Sequence, residues 1–163
     1  MRRHEVDIVR HVDDDAATVP DARLSHWAHA ALAELAEPVT VALSVVSEAA
    51  MAELNAGYRG AAGATNVLSF PAGELPVAML PKPLGDVVIC AAVVRREALR
   101  QGKPPVAHWA HMVVHGVLHL RGFDHQTDAQ ADVMESRERA IMQALGYPDP
   151  YLELTRMPVP EPN

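Results

Sequence analysis

The segment from His115 to His125, HGVLHLRGFDH, constrains the fold of this chain more than any other stretch of its sequence. His115 and His119 are four residues apart, so a helix places both imidazoles on the same face. Gly122 suits the end of that helix, because glycine readily adopts the positive φ that turns the chain. This turn allows His125 to approach the first two histidines from outside the helix. The segment therefore predicts a helix that ends beside a cluster of three imidazoles.

The three imidazoles predict a zinc site with one ion per chain. Zinc binds neutral imidazole nitrogens in a tetrahedral shell, and three protein ligands leave a fourth position open to water, as in catalytic sites. An H-x-x-x-H pair alone is weak evidence in a chain with nine histidines. The third histidine, the glycine between the ligands and the apolar flanks make the pattern specific. The alternative is that these are core or surface histidines without a metal.

The composition fits one globular domain. The chain has 163 residues, of which 49% are hydrophobic, and this is enough for an adequate core. Its net charge of −7 disfavours a protein that coats nucleic acid, although a local basic groove remains compatible with an acidic total. The single cysteine, Cys90, is expected to be a buried strand residue in a reducing compartment. Because no apolar run is long enough to span a bilayer, we expect a cytoplasmic protein with no membrane partner.

Hydrophobic periodicity predicts alternating strands and helices in the first half of the chain. Strands are expected at 4–10, 39–46 and 65–70, and helices at 20–36 and 47–55. The acidic run Asp13–Asp15 is expected in a solvated turn. Residues 57–63 are expected to form a loop, because three glycines in this short stretch weaken any regular element.

The second half of the chain is expected to carry the site. We predict a surface loop at 73–83, a strand at 87–91, a basic helix that includes 95–103, the histidine helix from 104 to about 120, and a final helix at 128–145. The basic helix clusters positive charges that form either a solvated face or part of a phosphate-binding rim; they are Arg95, Arg96, Arg100 and Lys103.

These elements predict an α+β fold with α/β-like character. We expect a small mixed sheet of about four strands packed with about five helices, with the metal site on a helix. The single metal-hydrolase domain is expected to span residues 1–156. The proline-rich tail at 157–163 is expected to be disordered.

The predicted zinc site indicates hydrolysis, because zinc lowers the pKa of water to near neutrality and polarises the bond under attack. The histidine spacing overlaps the metzincin protease pattern H-E-x-x-H-x-x-G-x-x-H. In those enzymes the glutamate is the general base, and here that position is Gly116. The sequence therefore disfavours a standard peptidase mechanism.

The histidine segment also resembles a known family, the YbeY endoribonucleases, whose pattern is H-G-x-L-H-L-x-G-[YF]-D-H. Further blocks agree in order over about residues 50–146; they are Leu54-Asn55, Tyr58-Arg59, 67–71, 84–87 and Met134 with Glu138. One departure is Asn66, where the family usually has aspartate in T-D-V-L-S-F. The role of that carboxylate is therefore left open in this chain.

The resemblance implies that His115, His119 and His125 bind zinc and that Arg59 contributes to RNA cleavage. A guanidinium can bind two phosphoryl oxygens at once, so the role of Arg59 is chemically reasonable, although an arginine in a glycine-rich loop is often only solvated. The roles of Asp86 and Asp124 are left open: each acid could be a proton acceptor, a hydrogen-bond partner of a metal ligand, or a cap of the backbone. The implied function is single-strand-specific, metal-dependent RNA cleavage in maturation of the small-subunit ribosomal RNA and in ribosome quality control.

The implied partners are single-stranded RNA, expected to be ribosomal precursor, and the ribosome or its proteins. Two other functions remain open from the sequence. The first is a zinc metalloprotease-like hydrolase, which would need its general base at a position other than Gly116. The second is a non-catalytic ribosome-associated binding protein that uses its metal only for folding. The oligomeric state is not predicted.

Overall fold

The structure is a computed structural model that describes residues 3–12, 19–73 and 80–151. Its strands are β1 (Glu5–Arg10), β2 (Val39–Val46), β3 (Val67–Pro71) and β4 (Lys82–Cys90). Its helices are α1 (Asp21–Leu32), α2 (Glu48–Arg59), α3 (Ala91–Gln101), α4 (Pro105–Leu120) and α5 (Asp128–Leu145). The predicted α+β fold is confirmed. The expectations for the acidic turn at 13–15, for the tail at 157–163 and for most of the 73–83 loop lie outside the described residues.

The four strands form one mixed sheet in the order β1-β2-β4-β3. The pairs β1/β2 and β2/β4 are parallel, and β3 runs antiparallel to β4 at the edge of the sheet. Strand β2 buries alternate residues from Val39 to Val45, as the two-residue period of a strand requires. Cys90 ends β4 and is a fully buried free thiol, as predicted.

Helix α4 packs across β4 and β3 and forms the centre of the core, because most of its residues are apolar and buried. Gly116 lies where the helix comes closest to the sheet. A Cβ atom at this position would stand 2.6 Å from Val87 Cγ1 and 3.1 Å from Val67 Cγ2. Ser69 on β3 donates a 2.8 Å hydrogen bond to the Gly116 carbonyl oxygen. Glycine at 116 therefore brings the histidine helix against the edge strand.

Helix α5 has the bounds that the sequence predicts. Thr127 caps its first turn in a reciprocal pair of hydrogen bonds with Gln130, and Gly146 ends it with a φ of 93°. Met134 is buried, but the next buried residue on the same face is Glu138, a carboxylate, followed by Met142.

The loop prediction for 57–63 was wrong for its first three residues, because α2 continues to Arg59. Gly57 is exposed, and a Cβ atom added there would meet nothing within 4 Å, so the glycine only slightly weakens a helix that Ser47 caps and that Met51 anchors in the core. The helix ends at Gly60, which adopts a φ of 68°. Arg59 therefore belongs to the last turn of a helix.

Two other predicted boundaries differ from the structure. Helix α1 ends at Leu32, short of 36, where the chain tightens into a turn with a hydrogen bond from the Leu35 amide to the Leu32 carbonyl. Strand β4 begins at Lys82, well before 87, because its first half pairs with the start of β2 across an irregularity at Thr40/Val41. None of the helices in the described part of the chain combines the length and apolar composition needed to cross a bilayer.

Candidate metal centre

Two of the predicted ligands lie on the last turns of α4. His115 and His119 have ring centroids 4.7 Å apart, as expected for residues one helical turn apart on one face. Both are partly buried, since the sheet covers one side of the helix and α5 covers another. Their surroundings therefore limit how far each ring can move.

The third histidine reaches the other two because α4 ends in a Schellman motif. The Gly122 amide bonds to the His119 carbonyl at 3.0 Å, and the Phe123 amide bonds to the Leu118 carbonyl at 3.1 Å. Gly122 has a φ of 103°, the positive value that the sequence predicted. The chain then turns back and places the ring of His125 5.0 Å from that of His119, between centroids.

One nitrogen from each of His115, His119 and His125 lies within 4.8 Å of the other two. Small side-chain rotations would bring nitrogens at this separation onto a single ion. The structure thus brings together all three residues that the sequence singled out as ligands. Burial, followed by the neighbouring His115 and His125, lowers the pKa of His119 to about 4, so this ring is neutral at pH 7 and can offer a lone pair.

Glu138 from α5 stands behind the histidines and is fully buried. Its Oε2 lies 2.7 Å from His115 Nδ1 and 3.0 Å from His111 Nε2, and its Oε1 accepts a 2.5 Å hydrogen bond from the Tyr151 hydroxyl. Burial alone would raise the pKa of this carboxyl, but the hydrogen bonds from the two histidines outweigh burial and hold the pKa below its usual range. Glu138 is therefore an ionised hydrogen-bond acceptor.

The charge on Glu138 determines the tautomer of His115. An ionised carboxylate can only accept, so the proton of the neutral imidazole lies on Nδ1 and the lone pair on Nε2. A carboxylate behind a histidine in this way is a common partner of metal-binding imidazoles. The donor set, three imidazoles of which one has its hydrogen-bonding nitrogen fixed by a buried acid, fits a metal such as zinc.

The other two histidines of α4 contact acids away from the candidate ion. His111 is buried and shares Glu138 with His115. His108 lies 2.9 Å from Glu97 on α3, and this hydrogen bond is the main reason that the pKa of Glu97 is below its usual range. Neither residue belongs to the three-histidine cluster.

Asn66 occupies the position where the family pattern has aspartate, and its amide faces Glu97. Asn66 Nδ2 lies 3.1 and 3.3 Å from the two carboxylate oxygens of Glu97. An amide can donate to this acid, whereas an aspartate would place two carboxylates side by side. In this chain the residue at 66 therefore helps to tie β3 to α3.

The histidines form one wall of an open cleft of about 670 Å³. Tyr58 and Arg59, at the end of α2, line the same cleft, together with Asn66 and Ser69 of the β3 region. Both Tyr58 and Arg59 are exposed. Within the described residues, Arg59 forms no hydrogen bond or ion pair, so its guanidinium is available to a ligand.

The end of α2 is held in place by a buried side chain. Asn55 Nδ2 donates a 2.9 Å hydrogen bond to the Gly63 carbonyl, and the Asn55 carbonyl accepts from the Ala61 amide. These contacts fold the segment after the helix back onto it. Tyr58 and Arg59 therefore project from a fixed helix end beside the cleft.

The sequence left open the roles of two acids, Asp86 and Asp124, and of the basic cluster that follows β4. Asp124 lines the cleft and accepts a 2.8 Å hydrogen bond from the His125 amide, as a backbone cap does. Asp86 lies exposed on β4 and does not line this cleft.

In the basic cluster, Arg96 pairs with Glu48 at 2.8 Å and Lys103 donates to the Pro150 carbonyl. These contacts favour the solvated face over the phosphate-binding rim.

Glu138 was not predicted as a buried partner of the histidines. Its position could have indicated this role, because it lies four residues after Met134 and four before Met142, in the middle of an apolar face of α5. A buried acid needs partners, and in a chain with a histidine cluster these partners are expected to be histidines.

Comparisons with known proteins give matches over most of the chain. A family model described as Endoribonuclease YbeY matches residues 10–146. A protein of Pseudomonas putida named Endoribonuclease YbeY is 51% identical over 150 residues, which cover 91% of this chain and 94% of that protein. One of the same name from Nitrosococcus oceani is 53% identical over 137 residues, which cover 83% and 90%. A solution structure from Thermotoga maritima, 25% identical, has a TM-score of 0.59 over 85% of this chain and 87% of its own.

Proposed function

Because this chain belongs to the endoribonuclease YbeY family, we propose that it is a metal-dependent endoribonuclease that cleaves single-stranded RNA with Zn²⁺ as its ion. The observation that carries the proposal is that one cleft is lined both by a three-histidine cluster and by Arg59, which has no hydrogen bond or ion pair among the described residues. The proposed domain spans residues 1–156, as the sequence suggests.

His115, His119 and His125 would hold the ion. When bound in such a site, zinc can lower the pKa of water and act as a Lewis acid on the bond under attack. Glu138 accepts a hydrogen bond from His115 Nδ1, which leaves Nε2 as the nitrogen that would bind the ion. The low pKa of His119 keeps that ring uncharged at neutral pH.

Arg59 is proposed to bind the phosphate of the scissile phosphodiester. Attack at phosphorus increases the negative charge on the phosphoryl oxygens, and a guanidinium can donate two parallel hydrogen bonds to them. The position of Arg59 at a fixed helix end, with no partner of its own in the described chain, supports this role. Its preorganised charge would favour the transition state over the ground state.

The protease alternative is weakened by the contacts of Gly116. A glutamate at this position would serve as general base in a metzincin, but the backbone here packs so closely on Val87 that even a Cβ atom would clash. Among the described residues that line the cleft, the one acid is Asp124, and it accepts a hydrogen bond from the His125 amide. The geometry therefore supports attack on a phosphodiester over attack on a peptide.

Ribosomal precursor RNA is the proposed substrate, and the ribosome or its proteins are the proposed partners. The support for both is membership of the family, which is associated with ribosomal RNA maturation and quality control. A cytoplasmic location is part of the same proposal and agrees with the single buried thiol of Cys90.

The proposal is tested by cleavage of matched RNAs with the zinc-loaded chain. A single-stranded RNA, the same sequence as a duplex, and a peptide substrate such as casein are incubated with and without chelator. We expect cleavage of the single strand that stops with chelator and returns when zinc is added. Cleavage of casein with intact RNA would support the protease, and chelator-insensitive ribosome association without cleavage would support the binding protein.

A further inference from the structure

Tyr58 is an exposed aromatic residue in the candidate cleft, and the catalytic proposal gives it no role. Its exposed fraction is 54%, which is high for a tyrosine in a folded domain. The other exposed large apolar side chains of the described residues are aliphatic and do not line this cleft; they are Val9, Leu54, Leu80, Leu99 and Val133. Among the described residues, Tyr58 is therefore the one exposed large apolar side chain that lines the cleft.

The ring of Tyr58 is supported from one side. Phe70 of β3 packs against it, with ring centroids 4.3 Å apart and planes inclined at 58°. Phe70 itself packs against the smaller of two apolar clusters, which includes Met51 and Leu68. Because one side of the Tyr58 ring rests on this support, its orientation is restricted before any ligand arrives. The remaining surface of the ring is open to the cleft.

Arg59 follows Tyr58 directly, so a cation and an aromatic ring project side by side from the last turn of α2. Single-stranded nucleic acids present the same two features in sequence, a phosphate and the flat face of a base. Proteins that bind single strands commonly combine a positive group for the backbone with an aromatic ring on which a base stacks. A duplex has no unstacked base to offer, whereas a single strand does.

We propose that Tyr58 stacks on a base of the RNA strand beside the phosphate that Arg59 binds. The inference rests on the proposed RNA-cleaving function and deepens it, because it assigns a residue to the preference for single strands. Stacking on an aromatic ring tolerates all four bases, so Tyr58 would contribute affinity without strong sequence preference. The hydroxyl group of Tyr58 is not needed for this role, so phenylalanine should replace it.

The test measures binding by fluorescence anisotropy to the zinc-loaded chain, with a labelled single-stranded 2′-O-methyl RNA that resists cleavage. The variants are Tyr58→Phe, Tyr58→Leu, which keeps apolar contact with Phe70 but has no aromatic face, and Leu99→Ala as an exposed control outside the cleft. Losing one stacked base weakens binding by about 5- to 150-fold. We expect a loss of this size for Tyr58→Leu and wild-type affinity for Tyr58→Phe and Leu99→Ala.

A second arm separates stacking from a merely structural role. Abasic nucleotides are placed one at a time along the same RNA, and each RNA is titrated with wild type and with Tyr58→Leu. At one position the missing base should weaken binding to wild type but not to Tyr58→Leu, because both changes remove the same contact. If Tyr58→Leu binds like wild type, or if every abasic RNA loses the same factor with both proteins, the stacking role is wrong.

Cleavage of unmodified RNA by wild type is recorded in parallel. If wild type binds with the expected coupling but cleaves nothing, the proposed function fails while the stacking role stands. If wild type cleaves RNA but the coupling is absent, the stacking role alone fails. A wild-type chain that does not bind single-stranded RNA would overturn the stacking role directly.

Discussion

The two walls of the cleft differ in how their polar groups find partners. On the histidine wall, Glu138 is fully buried and accepts hydrogen bonds from His111, His115 and Tyr151. On the wall that the end of α2 contributes, Arg59 is exposed and, within the described residues, has no hydrogen bond or ion pair. The buried carboxylate of the histidine wall therefore has its hydrogen-bond partners within the protein, whereas the guanidinium of Arg59 is available to a ligand.

This difference fits the two tasks that the cleft would perform. Metal ligands must be held in one tautomer and one orientation before an ion binds, and a buried carboxylate achieves this. Groups that bind a mobile, charged substrate must instead stay hydrated and free until the substrate arrives. The comparison predicts that substitutions on the histidine wall change metal binding, whereas substitutions on the Arg59 wall change RNA cleavage without changing metal content.

The largest effect is expected from His119→Ala. Loss of one of three ligands should lower zinc below one ion per chain and reduce RNA cleavage by more than about 100-fold, beyond the effect of removing a partner behind a ligand. Elemental analysis and a cleavage assay measure the two quantities. His26→Ala, on the exposed face of α1, is the matched control and should change neither. If His119→Ala bound as much zinc as wild type, the prediction that substitutions on the histidine wall change metal binding would be wrong.

Glu138→Gln should weaken zinc binding without removing a ligand. The amide is close in shape to the carboxylate but carries no charge, so it holds the two histidine N–H groups less strongly, and we expect about a 10- to 100-fold loss of zinc affinity. The free energy of unfolding should fall by about 1–3 kcal/mol, because hydrogen bonds to a charged acceptor are stronger than those to a neutral amide. Competition with a chelator and chemical denaturation measure these changes.

Tyr151→Phe is the control for this substitution. It removes one hydrogen bond from Glu138 and leaves both histidine contacts in place. Its zinc affinity should stay much closer to that of wild type. Equal losses in the two variants would show that Glu138 acts through general stability and does not orient His115.

Arg59→Glu should reduce RNA cleavage by about 10- to 100-fold, the value of a charge-assisted hydrogen bond, while zinc content and the melting temperature stay unchanged. Arg100→Glu is the matched control, since Arg100 is also exposed but lies on α3 outside the cleft. A loss of zinc in Arg59→Glu would contradict the separation of the two walls, and unchanged cleavage would contradict the phosphate role.

The smallest expected effect compares two helical glycines. Gly116→Ala should lower the free energy of unfolding by about 1–3 kcal/mol, because its Cβ atom would overlap Val87. Gly57→Ala should raise it by about 0.5–1 kcal/mol, since this position is open and alanine favours a helix. Denaturant titration of both variants measures the difference. An equal change in the free energy of unfolding for both variants would mean that stability does not depend on the close packing of α4 against the sheet.

Local patterns predicted much of the fold. The bounds of β2 and α5 were right, because β-branched alternation defines the strand and Thr127 and Gly146 mark the ends of the helix. The end of α2 was missed, since Gly57 in the sequence does not reveal that its position is exposed and tolerant. The early start of β4 was missed as well, because pairing with β2 is a tertiary contact that no local pattern contains.

In the candidate site, too, the local features were predicted from the sequence and a tertiary contact was not. The spacing of the three histidines and the turn at Gly122 were readable, because they follow from helix geometry. The contact between Glu138 and His115 joins residues on two helices, so apolar periodicity alone did not reveal it. The phosphate role of Arg59 rested on resemblance, and the structure adds its place in the cleft and its lack of a described partner.

X-ray absorption spectroscopy at the zinc edge tests the central claim most directly. The measurement is made on the zinc-loaded wild-type chain and on His125→Ala, whose substituted residue lies outside the helix that carries the other two ligands. We expect three imidazole nitrogens at about 2.0–2.1 Å and one further light atom in wild type, and two imidazoles in the variant. Fewer than three imidazoles in wild type, or the same spectrum from both proteins, would contradict the three-histidine site.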